Sequence, residues 1–147
     1  MFSLSDIFVH CDFSHSTSGI HLARMGPNTN FAFSGISQDQ TCICNSTPMA
    51  EMVAAVQALR MEGVPALVLW DILLERDHQL QFMEDNTAMI RIVETGRNPQ
   101  MRTIGRTHGI NIVEIHERFQ LDDLNRKHCG TDKMAADIYS QRPSSAY

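Results

Sequence analysis

No stretch of this chain comes near the roughly 20 consecutive apolar residues a helix needs to cross a bilayer, so the sequence gives no sign of a membrane protein. The first residues, Met1 to Phe13, lack a basic start and carry Asp6 and Asp12. They read as a strand rather than a signal peptide, and an intracellular protein is expected. Positive charge is also short: 12 Lys and Arg stand against 17 Asp and Glu, for a net charge of −5. Free-standing duplex-binding proteins carry a basic balance or stripe, so tight independent nucleic-acid binding is not supported. Arg91, Arg97, Arg102 and Arg106, then Arg118, Arg126 and Lys127, form either a solvated face or a weak phosphate-contacting rim. The four cysteines, Cys11, Cys42, Cys44 and Cys129, match no zinc-finger or ribbon spacing and read as small core or surface thiols. There is no internal repeat, low-complexity tract or linker. The 147 residues suit one domain, residues 1–147, with a tail from about residue 143.

What is present is an ordered set of strand and helix signals. Phe8–Phe13, Ile20–Met25 and Phe31–Ile36 read as three strands, the third extending toward Cys44. Ser16-Thr17-Ser18-Gly19 and Gly26-Pro27-Asn28 read as the turns between them, which predicts an antiparallel meander. Thr47-Pro48 opens a helix with Thr47 as cap, and Met49, Met52, Val53, Val56 and Leu59 recur at helical spacing. Gly63 is expected to end that helix, and Leu67 to Leu74 to form a second, strongly apolar one. Gln79–Met83 reads as a fourth strand, followed by a helix over 86–94 that Gly96 stops. Residues 97–106 look polar and turn-rich. Ile110 to Phe119 predicts a further helix, Leu121–Cys129 a short last strand, and Thr131–Gln141 a closing helix.

Four acidic residues sit at informative points of this pattern. Asp12 lies on the first strand, Glu51 early in the first helix, Asp85 at the end of the fourth strand, and Asp137 in the last helix. Each has an ordinary explanation by itself: a strand end, a solvated helix glutamate, a helix cap, an exposed acid. Glu51 is four residues after Thr47, out of register for a capping box. Together the four can converge at one edge of a central sheet. Carboxylates gathered this way repel one another, and hard divalent cations with their preference for oxygen ligands relieve that repulsion.

Several segments carry a family resemblance. His10-Cys11-Asp12-Phe13-Ser14 resembles the first-strand motif of the ribonuclease H fold family, and Asn45 to Ala55, with Glu51, resembles the start of its first helix. Within that family the sequence is most similar to the ribonuclease H domain of Copia-type retrotransposon polyproteins. Ser16-Thr17-Ser18-Gly19, Trp70-Asp71-Ile72-Leu73-Leu74, Asp85-Asn86-Thr87-Ala88-Met89-Ile90, Arg106-Thr107 with Ile110 and Ile112, and Thr131 to Ile138 resemble successive segments of that group, from about residue 8 to 143. The chain departs from it in a shorter loop after Asp12, an extra residue near Pro48, and Gly109 where the group has histidine. It shows no Tyr-x-Asp-Asp polymerase motif, zinc-binding integrase module or protease motif.

The resemblance implies an α/β, ribonuclease H-like fold: a central mixed five-stranded sheet, its first three strands antiparallel, flanked by helices. It implies that Asp12, Glu51, Asp85 and Asp137 are catalytic and hold two Mg²⁺ or Mn²⁺ ions. The activity implied is hydrolysis of the RNA strand of RNA–DNA hybrids, weak in the isolated module, with a polymerase domain of the parent polyprotein as partner. Asn45, Asn86 and Ser14 are candidate substrate-binding residues. His128, nine positions before Asp137, is either a catalytic histidine or a surface one. Two other readings stay open: a catalytically inactive or domesticated interaction module, and another nuclease on the same fold.

Overall fold

The computed structural model describes residues 5–14, 17–40, 44, 46–74, 78–101 and 103–140; the side chains of residues 5–14, 100, 131 and 140 lie outside that description. Three long strands come first: β1 (Ser5–Ser14), β2 (Thr17–Gly26) and β3 (Thr29–Asp39). They pair antiparallel in chain order, with Pro27 and Asn28 forming the turn between β2 and β3. β4 (Gln79–Glu84) joins β1 in parallel, and β5 (Leu124–His128) joins β4 in parallel, giving one sheet in the order β3-β2-β1-β4-β5. Parallel neighbours need a long crossover, and the helices supply it on both occasions.

The turn expected at Ser16–Gly19 is shorter than the sequence suggests. Thr17, Ser18 and Gly19 already belong to β2, with Thr17 and Ser18 buried. Thr17 Oγ1 donates to Asp39 Oδ1 at 2.9 Å, closing the end of the β2–β3 pair.

The first crossover departs further. Helix α1 (Thr47–Ala58), a π turn (Leu59–Gly63) and α2 (Val64–Leu73) run on as one helix of 27 residues. Gly63 does not end it. The reason is local: Pro65 has no N–H and would strike the carbonyl one turn back in a regular helix. A π turn just before it lets the helix continue, with Val64 N–H reaching Leu59 O. Gly63 serves a different need, because a Cβ there would lie 2.8 Å from Leu80 Cδ2 on β4. By length and composition this helix matches a membrane span, contrary to the sequence expectation, and 56% of its apolar window is buried inside the fold.

The inward stripe of α1 (Met49, Met52, Val53, Val56) and Leu59 pack on Ile20, Leu22, Leu80 and Phe82. Burying each large apolar side chain contributes about 1.5–3 kcal/mol. Phe82 meets Phe119 edge to face, ring centres 5.3 Å apart. Helix α3 (Thr87–Thr95) adds Met89, Ile92 and Val93 to this core, and left-handed Gly96 (φ 64°) stops it. The polar stretch after it holds helix α4 (Ile104–His108), where only turns are expected. Gly109 (φ 63°) ends α4, so the helix expected from Ile110 begins only at α5 (Ile112–Arg118). The closing helix is likewise shorter: a 3₁₀ turn over Thr131–Lys133 precedes α6 (Asp137–Ser140). Two members of the arginine group are engaged, Arg118 with Asp123 (2.6 and 2.9 Å) and Arg126 with Glu94 (3.1 Å).

Candidate active site

The sheet sets the strands that carry Asp12 and lead to Asp85 next to each other. β1 and β4 run in parallel, and their last pair is His10 with Met83. Two residues further along each strand stand Asp12 and Asp85. Adjacent strands lie about 4.8 Å apart, and Asp85 follows directly on the last residue of β4. Asp12 remains within β1, paired on its other side with Gly19 of β2. Ser14 ends β1 opposite Thr17.

The chain around Asp85 is tightly held. Strand alternation places Glu84 on the same face as Leu80 and Phe82, and like them it is almost wholly buried, at 1% exposure. Glu84 Oε1 accepts from the Asn86 backbone N–H at 3.0 Å, bridging over Asp85. Asn86 Oδ1 in turn accepts from Met89 N–H at 3.0 Å and caps α3. A substrate contact from Asn86 would therefore come from Nδ2. Behind this turn, Cys129 N–H donates to Glu84 O at 3.0 Å. Burial pushes the Cys129 thiol up, and the negative fields of Asp132 and Asp85 add to it against Lys133 and Lys127. The thiol therefore stays protonated, and the field of Asp85 reaches across to the end of β5.

Asp137 approaches from the last segment. Met83, Cys129, Met134 and Ala136 form a small apolar cluster that ties the ends of β4 and β5 to the residues just before Asp137. Asp137 N–H donates to Met134 O at 3.2 Å, and its Oδ1 is shut off from solvent. Helix α6 rests on β1, β2 and β3. Its Tyr139 ring lies flat over Gly35, where any Cβ would run into the ring. Tyr139 also stacks on His21 (centroids 5.8 Å, planes 17° apart). His21 is the β2 residue that pairs with both His10 and Gly35. Burial lowers the His21 pKa.

Glu51 comes from α1. Ser46, not Thr47, caps this helix, its Oγ accepting from Met49 N–H at 3.4 Å. Gln40 Nε2 donates to Ser18 Oγ and to Ala50 O, both at 3.0 Å. That amide pins the first turn of α1 to β2 beside the Phe13–Ser18 pair. Glu51 is the next residue. It is 4% exposed, with Oε2 shut off from solvent, and is no solvated helix glutamate.

The elements carrying the four acids thus meet at one end of the sheet. Among the described residues, however, no three His, Cys, Asp or Glu side chains form a group able to hold a metal ion. Glu51, Asp85 and Asp137 do not make such a set by themselves, and the Asp12 side chain lies outside the description. His128 ends β5, exposed, paired in register with Glu84. Asn45 lies outside the described residues, as do Arg102 and Cys42.

Sequence reasoning missed Glu84, Gln40 and the His21–Tyr139–Gly35 stack. Only Glu84 carried a signal: its parity with Leu80 and Phe82 places it inside.

No protein-family model matches the sequence, and no curated protein matches it. Solved structures do. LC11-RNase H1 in complex with RNA/DNA hybrid superposes on 90% of this chain and 91% of its own, with TM-score 0.56 and 16% identity. The structure of LC11-RNase H1 isolated from compost by a metagenomic approach covers 90% and 89%, with TM-score 0.53 and 15% identity. The fold is that of ribonuclease H. A prototype foamy virus protease-reverse transcriptase covers 95% of this chain and 20% of its own at TM-score 0.46 and 10% identity, too loose a match to build on.

Proposed function

We propose that this ribonuclease H-like chain is a metal-dependent endonuclease that hydrolyses the RNA strand of RNA–DNA hybrids, derived from a Copia-type retrotransposon polyprotein. The observation that supports this reading is the parallel pairing of β1 and β4, whose register ends at His10–Met83, two residues before Asp12 and Asp85. The donor set fits hard divalent ions, since all four residues offer carboxylate oxygen. Glu51 Oε2 and Asp137 Oδ1 are also closed to water.

In this reading Asp12, Glu51, Asp85 and Asp137 hold two Mg²⁺ or Mn²⁺ ions. When bound, such a pair supplies Lewis acidity that activates a water and offsets charge on a leaving 3′ oxygen. The remaining work belongs to the chain. The Glu84–Asn86 bridge and the Cys129 contact fix the backbone that presents Asp85. The Tyr139 stack fixes α6 and with it Asp137. Asn45, Asn86 Nδ2 and Ser14 contact the 2′-hydroxyls and backbone of the hybrid, the features by which RNA is told from DNA. His128, exposed at the end of β5, donates or accepts a proton as product leaves. With a net charge of −5, the module holds its substrate weakly, and a polymerase domain of the parent polyprotein adds the missing grip.

A second reading, a catalytically inactive interaction module, is favoured by one observation: Glu51, Asp85 and Asp137 do not close into a ligand set. One assay separates the two. A hybrid labelled in its RNA strand is incubated with wild type and Asp85→Asn in Mg²⁺ or Mn²⁺. Cleavage by wild type alone supports the nuclease. Equal cleavage by both removes Asp85 from the mechanism, and no cleavage together with no metal binding at millimolar Mg²⁺ supports the inactive module.

A further inference from the structure

Helix α2 is apolar all round. Between Val64 and Leu73 its only ionisable residue is Asp71. A helix of this kind belongs inside a protein, yet only Ala66 and Leu67 are buried. Ile72 is 76% exposed, and Val68, Leu69 and Leu73 are each more than half exposed. Positions 68 and 72, and 69 and 73, are four apart, so these side chains form one outward stripe.

The stripe continues onto the sheet. Trp70 meets Phe33 of β3 edge to face at 5.8 Å, and Phe33 meets Phe31 at 5.2 Å. Phe31 is 60% exposed. Ser34 Oγ donates to Glu62 Oε1 at 2.9 Å, fixing β3 beside the helix. β3 is itself an edge strand. Natural edges are guarded by lysine, proline or inward charge. In β3 the only ionisable residue is Asp39, at its end, and among the described residues the one guard is the irregularity opposite Leu22 and Ala23.

We propose that the β3 edge and the outer face of α2 form a two-fold interface between two copies of this chain. Three observations select a second copy as occupant. The exposed apolar side chains of α2 and β3 adjoin through the Trp70–Phe33–Phe31 contacts, and homodimer interfaces are the more hydrophobic kind. An antiparallel pair of like strands is self-complementary under a two-fold axis. It also places the two Asp39 residues at opposite ends, so the one charge on the strand does not meet its own copy. A membrane surface fits less well, because interfacial helices carry Lys and Arg on their polar face and α2 has none.

The full chain, examined by light scattering over a micromolar concentration series, is expected to pass from monomer to dimer. Ile72→Lys and Phe31→Lys should each raise the dissociation constant about tenfold or more. Hydrogen exchange on the wild type gives a measurement free of any folding defect: β3 amides should gain protection as concentration rises, and β5 amides should not. A chain that stays monomeric, a dimer indifferent to both substitutions, or β3 exchange independent of concentration would overturn the proposal. So would recruitment of the monomer to neutral lipid vesicles through Ile72.

Discussion

Two regions of this molecule invert the usual distribution of polarity, in opposite senses. At the carboxyl end of β1 and β4, acids are taken inside: Glu51 and Glu84 are buried and Asp137 Oδ1 is closed to water. On the α2–β3 flank, hydrocarbon is left outside. A buried polar group and a large exposed apolar patch are the informative exceptions to the rule of apolar residues within. The acidic end is held by specific bonds, namely the Gln40 amide, the Glu84 bridge and the Tyr139 stack. The flank is held by buried Ala66 and Leu67, by His78, whose Nε2 lies 3.2 Å from Leu67 O and 3.3 Å from Asp71 Oδ1, and by the Phe33–Trp70 contact and the Ser34–Glu62 bond.

The sharpest way to break this comparison is to remove one acid. Asp85→Asn preserves shape and should lower single-turnover cleavage of the hybrid by three to four orders of magnitude, about 4–5 kcal/mol of barrier, while thermal stability stays near wild type. Next comes the contrast between hydrocarbon inside and hydrocarbon outside. Phe82→Ala should cost about 3 kcal/mol or more by chemical denaturation. Ile72→Ala, at concentrations where the chain is monomeric, should stay within about 0.5 kcal/mol. Equal losses would mean that α2 is packed in solution.

Gly35→Val tests whether α6 is held by the sheet. Its side chain must displace Tyr139, with an expected loss of about 1–3 kcal/mol and a fall in cleavage beyond what the stability change explains, because Asp137 moves with the helix. The smallest effect concerns His21. Its folded pKa is depressed by burial, so the unfolded chain binds the proton more readily. That contribution to stability is present above the unfolded value, about 6.5, and is lost as pH falls below it through the lower folded value. Denaturation midpoints between pH 7 and pH 5 should drop less steeply in His21→Asn than in wild type.

Much of the fold was legible because local rules agree with tertiary ones. Alternation and the Pro27-Asn28 turn mark β2 and β3. Asn86 and Gly96 bracket α3 by ordinary capping chemistry, and the apolar run before Asp85 marks β4. The errors came where a residue answers to a partner distant in sequence. Gly63 looks like a helix stop, but it answers to Leu80. Thr47 looks like a cap, but Ser46 performs that role. Gly109 ends a short helix where only turns were expected, and the helix expected from Ile110 starts at Ile112. At the acidic end, Asp12, Asp85 and Asp137 could be placed on strand ends and the closing helix from the sequence alone. The burial of Glu51 could not, because the first turn of α1 is held against β2 by Gln40 and Ser18, which arrive from elsewhere in the chain.

The π turn carries a consequence for the phase of everything after it. A regular α-helix advances about 100° per residue, and the wider turn over Leu59–Gly63 inserts one residue into that winding. Deleting a single residue there would rotate α2 by about the same angle, swing Trp70 off Phe33 and carry part of the outer stripe against the sheet. The face this flank shows to the world is thus set by an irregularity five residues long, upstream of every side chain it displays.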